Sequence, residues 1–305
     1  MMAPRGPEAE PGPGGRLARR AAEALLAGLA RLPLPLLHAA GGAFARAGAG
    51  IRARALAVAE RNLALCLPEL DPAARRRLAR ASLVHAGRAY LEAPALWAMG
   101  PEALVRRLTQ VEGADAVGAC LREGRGVLLL VPHLGSWELV GLWCSLRWPM
   151  TSMYRPQHWT VDRYIRRARE RHGARLVPTT TAGVRGIYEA LRSGRLVAML
   201  PDHVPRTGGV FAPFFGEPAL TTTLPARLLR RTGARPFLAC ALHRPGGRYA
   251  LSFSPAPAAL ADPDPARAAA ALNEAVAALV RRSPEQYLWT YKRFKARPPG
   301  AAPVY

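Results

Sequence analysis

Val127-Leu-Leu-Leu-Val-Pro-His-Leu-Gly-Ser-Trp-Glu138 decides the fold. The five apolar residues Val127–Val131 follow Gly124-Arg-Gly126 and stop at Pro132. A short, unalternating apolar run bounded by glycine and proline reads as a strand buried on both faces, as in a parallel sheet. His133 and Glu138 then fall on the loop and first helical turn beyond the strand's carboxyl end, where open α/β sheets place ligands. Gly135 permits a tight turn, and Ser136 is placed to cap a helix over Trp137–Leu146. The H-x4-E pair suits general-base chemistry. A neutral imidazole takes a proton from a hydroxyl, while a carboxylate accepts the other ring N–H and fixes the tautomer. An ordinary loop histidine beside a glutamate favoured by the helix dipole has the same spacing, so the pair alone leaves both readings open.

Outward from this strand, helix and strand patterns alternate. Strands are expected at Thr151–Tyr154, Arg175–Val177, Leu196–Leu200, Pro236–Leu242 and Tyr249–Ser254, with helices at Ala114–Arg122, Val161–His172, Val184–Leu191, Ala226–Arg231 and Ala266–Arg281. The Pro245-Gly-Gly247 turn pairs the last two strands as a hairpin. This alternation predicts an α/β domain over 111–297: a mixed, partly parallel sheet flanked by helices. Residues 51–110 read as a helical region, with Asp71 capping a helix that begins at Pro72. Residues 1–14 and 298–305 read as tails, and Pro255–Pro265 as a linker.

Residues 15–50 are rich in Ala and Leu but are broken by Pro33 and Pro35 and carry Arg16, Arg19, Arg20, Glu23 and Arg31. A spanning helix needs about 20 largely apolar residues. The segment is therefore expected to lie in an anionic membrane interface as a helix or re-entrant hairpin, or to pack on the protein's own core.

Three further stretches carry chemistry. Arg155, in Tyr154-Arg-Pro156, ends the strand after the His133 helix and is placed to hold a phosphate or an oxyanion. Asp202 and His203, in Pro201-Asp-His203, follow another buried strand and face the same rim. Val210, Phe211, Phe214 and Phe215 then read as an apolar wall for an acyl chain, or as core. Pro284–Lys295 mixes aromatic and basic residues, a pattern of membrane interfaces, of nucleic-acid stacking or of a packed final element.

The chain of 305 residues carries 43 basic and 21 acidic residues, a net charge of +22. Such a balance implies an anionic partner. Only Lys292 and Lys295 are lysines, and GC-rich codon usage accounts for arginine over lysine but not for the excess of basic residues. No nucleic-acid recognition motif is present, so nucleic acid is not expected as a partner. Cys66, Cys120, Cys144 and Cys240 make no C-x-x-C pair and read as reduced core residues, with no metal site.

Together, Arg61-Asn-Leu-Ala-Leu-Cys-Leu-Pro-Glu69, His133–Glu138, Tyr154–Pro156, Pro201–His203, Val210–Gly216 and Pro284–Lys295 resemble, in order, the bacterial lipid A biosynthesis acyltransferases. These are the late lauroyl/myristoyl transferases of the wider H-x4-D/E glycerolipid acyltransferase superfamily. The resemblance implies an enzyme at the cytoplasmic face of the inner membrane, peripheral or singly anchored. It would move a fatty acyl group from acyl carrier protein to a hydroxyl of a lipid A precursor, without a metal or redox cofactor. It makes His133 the base, Glu138 its partner and Arg155 a ligand for phosphate or oxyanion, and it gives Asp202 and His203 no firm role. An acyl-CoA-dependent enzyme acting on another glycolipid, such as phosphatidylinositol mannoside, is the nearest alternative. A non-enzymatic basic membrane- or nucleic-acid-binding protein is the alternative of another class.

Overall fold

The computed structural model describes residues 13–47, 51–156 and 159–305. Of the expected N-terminal tail, residues 1–12 lie outside the described residues, while the remainder opens the first helix. The chain runs α1 (Pro13–Leu29), α2 (Leu34–Ala47), α3 (Ile51–Cys66), α4 (Pro72–Ala98), α5 (Pro101–Arg106), β1 (Leu108–Glu112), α6 (Ala114–Arg122) and β2 (Val127–Leu130). It continues as α7 (Trp137–Arg147), β3 (Met150–Tyr154), α8 (Trp159–Glu170), β4 (Arg175–Pro178), α9 (Thr181–Arg192) and β5 (Leu196–Met199). The last elements are β6 (Gly209–Phe214), β7 (Glu217–Thr222), α10 (Leu224–Thr232), β8 (Arg235–Arg244), β9 (Arg248–Pro255) and α11 (Pro265–Arg282).

Seven strands form one mixed sheet in the order β1-β9-β8-β2-β5-β3-β4. Within it only the β8–β9 hairpin is antiparallel. The apolar run opening at Val127 is a central strand between β5 and β8. Its side chains alternate between two cores. Leu128 and Leu130 join the layer built with α3, α9, α10 and α11, and Val127, Leu129 and Val131 the layer built with α2, α7 and the end of α4. Burial on both faces is why the run does not alternate with polar residues.

Three features depart from the sequence reading. β1 is an additional edge strand, parallel to β9, whose LTQVE sequence leaves four of five residues exposed. The Val210–Gly216 stretch, expected as a loop wall, is half of the β6–β7 hairpin, a separate two-stranded sheet packed against α11. Pro213 is tolerated inside the strand, opposite Pro218, because this ribbon has edges that need no donor there. The expected linker Pro255–Pro265 contains a 3-10 turn at Ala258–Ala261 whose Leu260 is buried.

The N-terminal helices divide. α2 packs along α4, with Leu34 and Leu37 buried in the core. Gly41 and Gly87 meet where the helices cross, so close that a Cβ on Gly41 would lie 2.7 Å from the Gly87 carbonyl carbon. α1 lies across α8 and α4 and leaves Leu17 and Leu25 71% and 65% exposed. No single helix among the described residues is long and apolar enough to cross a membrane. The bent pair Gly14–Leu29 and Leu34–Ala43 meets length and composition only when joined across a 115° break. At the other end, the Tyr305 hydroxyl accepts the Phe294 N–H at 3.2 Å and hydrogen-bonds Asn62, so the expected tail is docked on α3.

Candidate active site

Strand register assembles the site. β2 and β5 are parallel neighbours with Leu130 opposite Met199. Three residues beyond each strand stand His133 and Asp202, so in-register pairing brings together groups 69 positions apart. The buried Asp202 carboxylate accepts twice from His133. Oδ1 takes the Nδ1–H at 2.8 Å, and Oδ2 takes the backbone N–H at 2.9 Å. An ionised carboxylate at Nδ1 selects the tautomer with that nitrogen protonated and leaves Nε2 as the basic atom. Burial alone would raise the Asp202 pKa, but the facing His133 charge and hydrogen bonds outweigh it and hold the carboxyl well below its usual range. No described residue hydrogen-bonds Nε2, and His133 lines a cavity of about 450 Å³.

His203 stacks flat on His133, with centroids 3.9 Å apart, and on Tyr291, at 3.8 Å. Burial first, then the neighbouring His133 charge, pushes its pKa down to about 3, so it stays neutral and acts as a spacer for the ring of His133. Trp137 closes the other side edge-on, at 5.1 Å.

Glu138 lines the same cavity but does not meet the His133 ring. The spacing expectation of a direct His133–Glu138 hydrogen bond is corrected here: the second ring nitrogen is taken by Asp202. Glu138 instead accepts from the Arg169 guanidinium through both oxygens and from Trp97 Nε1 at 2.8 Å. A half-buried cation from α8 takes the carboxylate instead. Burial opposes the charge on Glu138, and Arg169 more than offsets it, lowering its pKa. The same ion pair raises the pKa of Arg169 against the effect of burial.

Arg155 lines the cavity and is exposed at its mouth. Arg206 and Arg227, also exposed, line the same cavity. The interior is apolar, with Leu142, Met150, Met153, Leu176, Val184 and Met199 among its lining. A largely apolar pocket of this size with convergent polar groups at one end is the usual form of a small-molecule site.

Phe211, Phe214 and Phe215 are not among the lining residues. Phe214 is 1% exposed and packs with Tyr287 and Phe294, while Phe215 stacks edge-on against Phe214 at the hairpin turn. In the hairpin Phe214 shares with Ala212 the face turned to the core, Phe215 packs at its edge, and the half-buried Phe211 lies on the other face of the strand.

Arg169 was not singled out from the sequence because it lies among many arginines. A signal exists nonetheless: it follows Ile165 by one turn and so shares the partly buried face of α8, whereas Arg163, Arg166 and Arg167 are exposed. The oxygen acceptors around His133 are completed by backbone pairing. Gly135, at φ +63°, lets the loop run back along β8, where the Ser136 N–H bonds the Ala241 carbonyl at 2.7 Å. The Ser136 hydroxyl, expected to cap α7, makes no capping bond.

A strand-end histidine on a buried carboxylate, opening onto an apolar cavity, is an arrangement for moving a proton to or from a hydroxyl beside an apolar substrate. Comparison with known proteins gives the class. The chain matches the bacterial lipid A biosynthesis acyltransferase family over residues 19–296. It is 30% identical over 279 residues to the lipid A biosynthesis palmitoleoyltransferase of Escherichia coli (strain K12), covering 90% of each chain. It is 29% identical over 280 residues to the lipid A biosynthesis lauroyltransferase of the same organism, again covering 90% of each. A phosphatidylinositol mannoside acyltransferase of Mycobacterium tuberculosis (strain CDC 1551 / Oshkosh) is 32% identical over 183 residues, 57% of each chain. The protein is an acyltransferase. It belongs to the bacterial lipid A biosynthesis acyltransferase family.

Proposed function

We propose that the protein transfers a fatty acyl group from acyl carrier protein to a hydroxyl of a lipid A precursor, with His133 as general base. The observation that carries this is the His133–Asp202 pair, which leaves Nε2 basic at an apolar cavity. Nε2 takes the proton of the acceptor hydroxyl as its oxygen attacks the thioester carbonyl. The tetrahedral intermediate collapses, the C–S bond breaks, and the imidazolium returns the proton to the departing thiolate. Asp202 holds the ring and its tautomer and offsets the imidazolium charge. Glu138 acts through Arg169, keeping that cation at the cavity wall. Arg155, with Arg206 and Arg227, suits the phosphates of the acceptor or the developing oxyanion. The apolar interior suits the acyl chain.

The net charge of +22 favours an acidic donor protein and an anionic leaflet. The exposed leucines of α1, with Leu32 and Leu36 after it, favour contact of the N-terminal pair with the cytoplasmic face of the inner membrane. Partial likeness to a phosphatidylinositol mannoside acyltransferase supports a second acceptor, another glycolipid, with acyl-CoA as donor. Mass spectrometry of lipids from a deletion strain, complemented with wild type or His133→Ala, tests both. Lipid A lighter by one acyl group, restored only by wild type, is the expected result. A missing acyl group on another glycolipid would move the acceptor, and unchanged lipids would refute the proposal. Purified protein offered acyl carrier protein and CoA thioesters in parallel tests the donor.

A further inference from the structure

Behind the candidate active site, on the far side of β8, lies a second cluster of titratable groups that the proposed chemistry does not use. Glu92, on α4, is completely buried. Its carboxylate meets three groups from distant parts of the chain. His38 Nε2 of α2 is 2.5 Å away, His243 Nε2 of β8 is 3.1 Å away, and the Tyr249 hydroxyl of β9 donates at 2.8 Å.

Hydrogen-bond roles in the cluster follow from its backbone partners. The His243 backbone N–H donates to Gln286 Oε1 at 2.8 Å, and Gln286 Nε2 donates to the His243 carbonyl at 3.3 Å. These bonds fix which end of the Gln286 amide is oxygen. His243 Nδ1, 3.2 Å from the same oxygen, must therefore be a donor. Its Nε2, facing Glu92, must be a donor too, because a lone pair there would meet a carboxylate. His243 thus bridges the Gln286 side chain and the Glu92 carboxylate, and His38 meets the same carboxylate from α2. Burial opposes the Glu92 charge, but His243 and the hydrogen bonds hold its pKa well below the usual range. Two histidines and a carboxylate are also a transition-metal donor set, yet these protons satisfy the facing groups without one.

The cluster reaches the candidate active site through Gln286. The Gln286 carbonyl accepts the N–H of Gly135 at 3.0 Å, the Leu288 N–H bonds the His133 carbonyl at 3.0 Å, and the Ser136 N–H bonds Ala241, two residues before His243. The His133 loop thus hangs by its backbone from two segments, the end of β8 and residues 286–288, that the His243–Gln286 hydrogen bonds join, with Glu92 and His38 behind His243. At the other end His38 belongs to α2, which the Gly41–Gly87 contact brings against α4. We propose that His38, Glu92, His243 and Gln286 form a buried relay through which the docked N-terminal helix pair positions the His133 loop, making these four positioning residues for acyl transfer. The proposal rests on His133 acting as base. It means that displacing α2 from α4 slackens the loop at residues 133–136, so that the N-terminal segment must be seated for full turnover.

The test uses the full chain in vesicles of defined anionic composition, with acyl carrier protein thioester as donor. His38→Leu keeps bulk and removes the donor. His38→Gln places an amide N–H the same number of bonds from Cβ. For His38→Leu, kcat should fall about tenfold with KM changed less than about twofold. Amide exchange at Gly135 and Ser136 should quicken about tenfold, since their N–H groups bond Gln286 and Ala241 in the segments the relay holds. His38→Gln should restore both. Faster exchange confined to α2, or equal losses for Leu and Gln, would make the cluster a simple structural tie and overturn the relay. So would one equivalent of tightly bound transition metal whose removal abolishes activity. If His133→Ala proves fully active, the base assignment fails, and the exchange comparison still decides the coupling.

Discussion

Asp202→Asn probes the His133 pair most directly. Asp202 presents two oxygens to two donors, the ring Nδ1–H at 2.8 Å and the backbone N–H at 2.9 Å. Asparagine keeps the shape but supplies one oxygen and one NH2. If its oxygen stays on the backbone N–H, the NH2 faces Nδ1, which must become the acceptor. The ring proton then moves to Nε2, and the base loses its lone pair. If the amide turns over, two N–H groups oppose each other in a buried site, at a cost of about 1–3 kcal/mol. The counter-charge to the imidazolium is lost either way. Removal of the carboxylate charge behind a general-base histidine, with geometry kept, lowers turnover by about 10⁴ in a serine protease. A fall of about 10³–10⁴ in single-turnover acyl transfer is expected here on the same physics. Nitrogen NMR of His133 should show the proton on Nε2. The pair also has a pH signature. The folded pKa of Asp202 lies below its unfolded value of about 3.9. It therefore contributes stability above about pH 4, which is lost as pH falls through the folded pKa. The stability gap between wild type and Asn should narrow on acidification. Turnover within about tenfold of wild type, with the proton still on Nδ1, would refute the reasoning.

Four further outcomes follow from the geometry. Arg169→Ala leaves the Glu138 charge buried without its partner and should cost about 3–5 kcal/mol in denaturant unfolding, whereas Glu138→Gln, which keeps an acceptor for Trp97 Nε1, should cost less than Glu138→Ala. Equal losses for Gln and Ala at 138 would show that charge alone matters. Gly135→Ala would put a Cβ 2.2 Å from the Ala241 carbonyl oxygen at a φ of +63°, and should abolish turnover while loosening the loop in hydrogen exchange; normal activity would sink the backbone argument. Arg155→Ala should raise acceptor KM or lower kcat, and no change in either would make it a surface residue. Leu17→Ser with Leu25→Ser should weaken binding to anionic vesicles in a flotation assay without altering the melting temperature, because both side chains are exposed.

Legibility in the sequence follows the range of the interactions that decide each feature. Val127–Val131 announced a buried central strand because burial on both faces removes every polar residue from the run. The α/β class and most of the sheet followed from such local patterns. β1 did not, since its exposed edge sequence carries no burial signal. The β6–β7 hairpin stayed hidden because Pro213 and the Phe215-Gly216 turn suppress the usual strand pattern, and which face Phe214 takes is set by α11.

The site divides along the same line. His133 is legible from its place after a strand, but its partner is not. H-x4-E spacing names a residue near in sequence, whereas the ring lies against Asp202, delivered by a neighbouring strand whose register only the assembled sheet defines. That explains why Pro201-Asp-His203 was found as a place and not as a role. Glu138 remains in the cavity wall for a different reason: it holds Arg169, a cation contributed by a helix 31 residues away. The buried His38–Glu92–His243 cluster is the extreme case. Its members are spread over three separate elements, and none stands beside a telling neighbour. A charged residue within a helix as long as α4 reads as solvated until another element packs over it. Sequence pattern thus exposes where a strand ends and chemistry begins; which carboxylate serves which histidine is a property of the sheet's register and of the helices laid against it.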